Sequence, residues 1–196
     1  ATTSLPEQPG GVRNWDYRYG WLRDATFTLY AMMLGGYTRE AVAWRDWLLR
    51  AVAGDPEDMQ IMYGAAGERR LDEWEVPWLE GHGGARPVRV GNAASDQFQL
   101  DVYGEVMDSL HVARRFGVEP DPDAWALQLA MMDSLERRWR EPDEGIWEVR
   151  GPRRHFTHSK VMAWVAFDRA IKAAEEGGLE GPVDRWRAQR DEVHAE

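Results

Sequence analysis

The 196-residue chain contains no cysteine. It therefore has no disulfide, no thiol nucleophile and no thiolate metal site, which fits a reducing compartment, and we expect a cytoplasmic protein. It also lacks an excess of basic residues, because 24 Lys and Arg face 34 Asp and Glu, giving a net charge of −10. This balance argues against nucleic-acid binding, which requires a basic face.

Long apolar runs are missing as well. No stretch approaches the roughly 18 residues of a membrane span. The start, ATTSLPEQPGG, has no basic region followed by an apolar stretch, so we expect no signal peptide. A glycine-rich phosphate loop and a GxSxG elbow are also absent. We therefore expect no membrane partner, no cofactor and no metal, and a neutral small molecule or glycan as ligand.

Tryptophan, by contrast, is frequent, with eleven in the chain. The densest aromatic stretch is NWDYRYGWLRD (14–24), which mixes two Trp and two Tyr with two Arg and two Asp. Charged groups are rarely buried unless paired, and large rings gain nothing in water. The mixture suits the wall of a sugar site, where rings stack on C–H faces and charged groups bind hydroxyls. An aromatic-rich helix start with an internal Arg–Asp pair is the alternative.

Apolar residues at helical spacing predict an all-α fold. The predicted segments cover 21–34, 38 to about 53, 92 or 95 to 116, 123–140 and 159–176, with a sixth, polar segment after 182. No strand-like alternation is convincing, although short strands could lie in 59–63 or 146–150. The length fits a single domain with a substantial core.

Tight and long connections alternate along the chain. Gly or Pro turns join the first helix to the second, the third to the fourth and the fifth to the sixth, whereas long polar segments precede helices one, three and five. In a stack of helical hairpins, all long loops lie at one end. We therefore expect residues 17–24, 59–92 and 141–158 to face one another and to carry the function.

The third long segment, PDEGIWEVRGPRRHFTHSK (142–160), contains a candidate general acid. Glu148 lies between Trp147 and Val149, so its carboxyl can occupy a partly dry pocket, where desolvation favours the protonated form. An ion pair with one of the nearby arginines, Arg150, Arg153 or Arg154, is the alternative.

The other ionisable residues of this segment suggest no catalytic role. Asp143 and Glu144 lie in a Pro-Gly turn and are interpreted as solvated turn residues. His155 and His158 form an HxxH pair without a third ligand, so we interpret them as loop and cap residues rather than as a metal site.

Three stretches together resemble the catalytic domain of glycoside hydrolase family 15. They are NWDYRYGWLRDA (14–25), RPVRVGNAASDQFQLDVYGEV (86–106) and GIWEVRGPRRHFTHSKVMAWVAFDRA (145–170). The family includes glucoamylases, glucodextranases and bacterial trehalases, and its fold is an (α/α)6 barrel of alternating inner and outer helices. The resemblance implies that the hairpin stack is the N-terminal half of such a barrel.

The resemblance also implies roles for four residues of the first stretch. Tyr17 and Trp21 resemble aromatic residues around the first sugar site. Arg23 and Asp24 resemble the pair that hydrogen-bonds the hydroxyls of the terminal glucose. The implied substrate is an α-glucoside disaccharide or oligosaccharide, with trehalose, maltooligosaccharides and dextran ends all open.

In the third stretch, Trp147 resembles the family Trp beside the acid, and Glu148 resembles the general acid of an inverting, exo-acting hydrolase. The fungal branch has an acidic residue where this chain has Val149, so any sugar contact made there is lost. Arg86 and Arg89 lie in a matching substrate-side loop, although the alignment there is looser.

One expected part has no counterpart in the sequence. The family's catalytic base is a distant downstream Glu, and nothing after Glu176 resembles it. We therefore expect a partial catalytic domain that is inactive alone and that associates through the open edge of its half barrel. Two rival functions stay open: a non-catalytic glycan-binding or assembly module, and another α/α-toroid enzyme such as a phosphorylase.

Overall fold

Six α-helices dominate the part of the chain that the structure describes. The computed structural model describes residues 4–52 and 59–196. The predicted end of the second helix at Ala53 lies outside these ranges, as does part of the following connection. The helices are α1 (Leu22–Leu34), α2 (Thr38–Ala51), α3 (Asp101–Arg115), α4 (Pro122–Arg138), α5 (Thr157–Glu175) and α6 (Val183–Ala195). The expected all-α fold is confirmed.

The start of α3 is the one boundary that differs clearly from its prediction. Asn92 accepts a hydrogen bond from the Ala94 backbone N–H at 3.0 Å, but the element that it caps is a short 3-10 helix, Ala93–Asp96. The chain then runs irregularly through 97–100 before α3 begins at Asp101. The Asn cap was therefore a real helix-start signal for a different, shorter helix.

Two small antiparallel ladders lie in the connections. Strand β1 (Gly20–Trp21) pairs with β2 (Met62–Tyr63), within the predicted 59–63 region. Strand β3 (Trp74–Val76) pairs with β4 (Val88–Val90), and this ladder was not predicted because each strand is too short to show alternation. The region 146–150 forms turns instead of a strand.

Helix α3 lies at the centre of the packing, between α1 and α5. Eleven of its fifteen residues are buried. It approaches α5 so closely that a Cβ on Gly104 would lie 2.3 Å from the Met162 carbonyl oxygen. The other helices pack against this row, α2 on α1, α4 on α2 and α5, and α6 on α5. The packing of α1 against α3 places the polar first turns of these two helices close together.

Helix α1 carries large apolar side chains that the described residues leave exposed. They are Phe27, Tyr30, Met32 and Leu34. The expectation that apolar faces at an open edge drive association stays a prediction. None of the helices in the described ranges has the length and apolar character needed to cross a membrane.

Candidate functional site

A cavity of about 650 Å³ lies at the start of α1. Trp21, Arg23 and Asp24 from the first long segment and Glu148 from the third all line it, so the predicted convergence of these two segments is confirmed. The other lining residues are Tyr17, Tyr19, Gly20, Ala25, Phe27, Thr28, Leu29 and Trp44.

The three long loops contact one another, as the hairpin pattern predicted. Glu73 in the second loop accepts hydrogen bonds from both terminal nitrogens of Arg150 in the third, at 3.0 and 2.7 Å. Asp16 in the first loop accepts from the Gly91 backbone N–H of the second at 3.2 Å. Residues of the second loop nevertheless do not line the cavity. That loop instead supports the first and third, which do.

Glu148 reaches the cavity wall with one carboxylate oxygen fixed. The Trp21 indole N–H donates to Oε1 at 2.7 Å, and Nη2 of Arg23 donates to the same atom at 3.2 Å. Both interactions fall on Oε1, so the second oxygen is the one left to exchange a proton with a ligand. The alternative partners Arg150 and Arg153 instead pair with Glu73 and Glu144.

The backbone of Glu148 is in the left-handed region, with φ at +52°. It is the only non-glycine residue with a positive φ in the described ranges. This conformation costs an L-residue roughly 1–2 kcal/mol. Such strain persists where surrounding contacts hold it, and it clusters at functional sites. Here the contacts from Trp21 and Arg23 hold the side chain in place.

Two carboxylates anchor the loop that carries Glu148. Asp143 accepts hydrogen bonds from the Leu100 backbone N–H at 3.0 Å and from the Ser159 hydroxyl at 2.7 Å. Glu144 accepts from the Phe98 backbone N–H at 2.8 Å. Asp143 is buried, so the interpretation of these residues as solvated turn residues was wrong. They attach the loop to the segment before α3 and to the first turn of α5.

The predicted sugar-binding residues occupy different positions around the cavity. The Tyr17 and Trp21 rings lie 5.7 Å apart, tilted at 47°. The Asp24 side chain is mostly exposed and lies 3.9 Å from Nε of Arg23. Trp147 does not line the cavity, and the residue is 85% exposed. Arg86 and Arg89 are also absent from the lining, and Arg89 instead stacks over Trp15, at 4.5 Å.

Arg23 connects the cavity to a buried acidic cluster. Its Nη1 donates to the Ile146 carbonyl oxygen at 3.2 Å and lies 3.6 Å from Oδ2 of Asp101. Asp101 is completely buried, and neither of its carboxylate oxygens accepts a hydrogen bond. Burial raises the pKa of Asp101, while Arg23 and His158 favour its charged form.

One group among the described residues has ligand atoms close enough to hold a metal ion. Asp101, Glu105 and His158 each offer one such atom, all within 4.8 Å of one another. The Arg23 guanidinium lies beside the same Asp101 carboxylate, so a metal there would face an existing positive charge at close range. We therefore assign no metal to this cluster.

Burial raises the pKa of Glu105 to about 7. An unfolded Glu titrates near 4.3, so the buried carboxyl contributes stability below that pH and loses it as the pH rises toward 7. Glu105→Gln keeps an acceptor for the Thr26 hydroxyl, which now donates at 3.0 Å. We expect the variant to match wild type at pH 4.5 and to exceed its free energy of unfolding by ~1–2 kcal/mol at pH 8. Urea unfolding at both pH values measures this; an equal difference at both would contradict it.

The buried acids escaped prediction because the periodicity of apolar residues, which predicts a helix, gives no signal for a buried charge. Asp101 and Glu105 are four residues apart and hence on one face of α3, close to the buried Val102 and Val106. Two acidic residues four positions apart, within the 86–106 stretch that resembles the family, could have indicated a buried acidic pair. The partners Arg23 and His158 come from α1 and α5, far away in the sequence.

Comparisons with known proteins agree over the whole chain. The family model for glycosyl hydrolases family 15 matches residues 1–196. A trehalase of Mycobacterium tuberculosis is 43% identical over 199 residues, covering 100% of this chain and 29% of that protein. A trehalase of Mycolicibacterium smegmatis is 45% identical over 201 residues, covering 100% of this chain and 30% of that protein.

A third relative is more distant. A trehalase of Thermoplasma acidophilum is 38% identical over 192 residues, covering 98% of this chain and 33% of that protein. The chain thus spans about a third of the length of the curated relatives that it matches. No solved structure matches it at a significant level.

Proposed function

The chain belongs to glycosyl hydrolase family 15, and from that premise we propose that it carries the general acid and part of the glucose site of an α-glucoside hydrolase. The observation that supports this most directly is the setting of Glu148. One oxygen is fixed by Trp21 and Arg23, and the carboxyl lies on the wall of a cavity that also holds Asp24. A glycan-binding module would not require a carboxyl on strained backbone.

In the proposed reaction, Glu148 donates its proton to the glycosidic oxygen as the C–O bond breaks. A water molecule attacks the anomeric carbon from the opposite face and gives its proton to a carboxylate base, which the family resemblance places in a part of the enzyme outside this chain. In inverting enzymes the two carboxyl groups lie roughly 6.5–9.5 Å apart, which leaves room for that water.

The proposed sugar-binding roles of the residues around Glu148 follow from their side-chain chemistry and their exposure. Arg23 and the exposed Asp24 supply a donor and an acceptor for glucose hydroxyls. The rings of Tyr17 and Trp21 offer apolar faces to the sugar. The exposed Trp147 offers a free ring beside the acid, where a leaving-group sugar can stack. Because the similar proteins are named trehalases, we propose trehalose as the substrate.

The stereochemistry of the products tests this function. The full-length enzyme that contains this chain is mixed with trehalose, and the anomeric protons are followed by NMR before mutarotation. We expect equal initial amounts of β-glucose and α-glucose, because inversion changes only the attacked unit. Release of α-glucose alone would indicate retention. Glucose 1-phosphate as product would support the phosphorylase alternative, and no turnover of any α-glucoside would overturn the proposal.

A further inference from the structure

The buried Asp101 carboxylate has no role in the reaction as described above. Neither oxygen accepts a hydrogen bond, although buried polar groups nearly always do. Its nearest basic neighbours are Nη1 of Arg23, at 3.6 Å, and Nε2 of His158, at 3.8 Å. Burying a carboxylate that accepts no hydrogen bond carries a desolvation penalty that lowers the stability of the fold, so the position of Asp101 beside Arg23 calls for an explanation.

Arg23 stands between this carboxylate and the proposed acid. Its Nη1 faces Asp101, and its Nη2 donates to Oε1 of Glu148 at 3.2 Å. A general acid must carry its proton into the reaction, and here a cation lies 3.2 Å from the proposed proton donor. A second carboxylate on the other side of the guanidinium offsets part of that charge.

We propose that Asp101 is a positioning residue that acts through Arg23: it holds the guanidinium against Glu148 and offsets part of the positive charge that faces the proton-donating carboxyl. This inference rests on the proposed function of Glu148 as the general acid. Asp101 itself does not line the cavity, so we assign it no contact with substrate.

Other charged groups around Glu148 do not replace this effect. Arg150 is already paired with Glu73 through two hydrogen bonds, at 3.0 and 2.7 Å. Burial raises the pKa of Tyr17, so its phenol is neutral at neutral pH. Arg150 still interacts electrostatically with Glu148, but Arg23 is the cation that donates directly to its carboxylate.

The groups facing Asp101 come from every element packed around it. Arg23 faces it from α1 and His158 from α5. Asp143 from the loop before α5 and Glu105 from the next turn of α3 add negative potential. These two carboxyls are retained in every variant below, so any change reports on Asp101 alone.

The test compares the pH dependence of kcat/KM for trehalose in the full-length enzyme. The alkaline limb reports the loss of the proton from the general acid. With Asp101→Asn, we expect this limb to move to lower pH by ~0.5–1 unit, because the buried carboxylate no longer offsets the Arg23 charge and the mostly exposed Asp24, 3.9 Å away, is the partner that still does so. Activity on the acidic side of the limb should change much less. Asp101→Glu retains the charge, so its limb should stay at the wild-type pH even where kcat falls.

A matched control uses another buried carboxylate. Asp168 in α5 pairs with Arg169 and Lys172 rather than with Arg23. Asp168→Asn should therefore leave the alkaline limb in place. If Asp101→Asn does not fold, Asp101→Ser provides a smaller neutral side chain, and the same shift is expected.

The outcomes separate this inference from the proposed function. A folded, neutral Asp101 variant with an unshifted limb would overturn the inference and leave the acid role of Glu148 intact. An equal shift in Asp101→Glu would also overturn it, because the effect would then follow shape rather than charge. A wild-type enzyme without glucosidase activity would instead overturn the proposed function, and this inference with it.

Discussion

Replacing Glu148 by Gln in the full-length enzyme is expected to lower kcat on trehalose by ~10²–10⁴-fold, the usual contribution of general acid catalysis. Gln keeps the shape of the side chain, and its amide oxygen can still accept from Trp21 and Arg23, which now donate to Oε1. It has no proton to give to the glycosidic oxygen. The loss should therefore appear in kcat with KM little changed, because the missing interaction belongs to the transition state.

The dependence on leaving group distinguishes an acid from a binding residue. Fluoride needs little protonation to depart, so Glu148→Gln should retain far more of its wild-type rate on α-glucosyl fluoride than on trehalose. Asp24→Asn provides the contrast, because Asp24 lies on the cavity wall and is proposed to hold the sugar. That variant should raise KM and lower kcat on both substrates. Equal losses of Glu148→Gln on both substrates would contradict the acid role.

Glu144 is a matched carboxyl from the same loop. It accepts from the Phe98 backbone N–H and pairs with Arg153, so its role is in holding the loop. Glu144→Gln keeps an acceptor for Phe98, and we expect its kcat ratio between the two substrates to match wild type. A leaving-group dependence in this variant would move the acid assignment from Glu148 to Glu144.

Much of this architecture could be predicted from local sequence. Helix periodicity depends on neighbours within one or two turns, so α1, α4 and α5 begin and end close to their predicted limits, and α2 and α6 begin close to theirs. The alternation of tight and long connections was enough to bring Trp21 and Glu148 together from 127 residues apart. Only the topology of hairpins was needed for that step, and no contact had to be known.

What escaped prediction depends on contacts made across the fold. Asp143 follows a proline in a turn, which is typical of a solvated residue, yet it is buried and its Oδ2 accepts hydrogen bonds from Leu100 and Ser159. Trp147 belongs to a residue type that is usually well buried, but its neighbour Glu148 turns inward and leaves the indole outside. The ion pair of Arg23 with Asp101 likewise has no signature in either local stretch.

The second large effect expected concerns stability rather than rate. Arg23→Met removes the guanidinium beside Asp101, which then stays buried without a hydrogen-bond donor and with His158, 3.8 Å away, as its remaining basic neighbour. Removing one partner of a buried pair typically costs ~3–5 kcal/mol, because the remaining charge is uncompensated. We expect a loss of about 3 kcal/mol in the free energy of unfolding, measured by urea denaturation of the full-length enzyme.

Arg18→Met is the matched control, since Arg18 also pairs with a buried carboxylate, that of Asp16. Burial opposes the charge of Asp16, but Arg18 and further donors hold its pKa at about 2. When the guanidinium is removed, four donors still reach the Asp16 carboxylate at 3.0–3.3 Å. They are the Ser4 hydroxyl, the Arg18 backbone N–H, the Tyr19 hydroxyl and the Gly91 backbone N–H. This variant should therefore lose only about 1 kcal/mol.

A double-mutant cycle assigns the cost of losing Arg23 to the carboxylate it leaves behind. If the penalty of Arg23→Met comes from the uncompensated charge of Asp101, then adding Asp101→Asn should restore about 2 kcal/mol, because a neutral amide is far cheaper to bury than an unpaired carboxylate. The double variant would then be more stable than Arg23→Met alone. A double variant less stable than either single variant would show that Arg23 stabilises the fold through Ile146 and Glu148, and that Asp101 contributes independently.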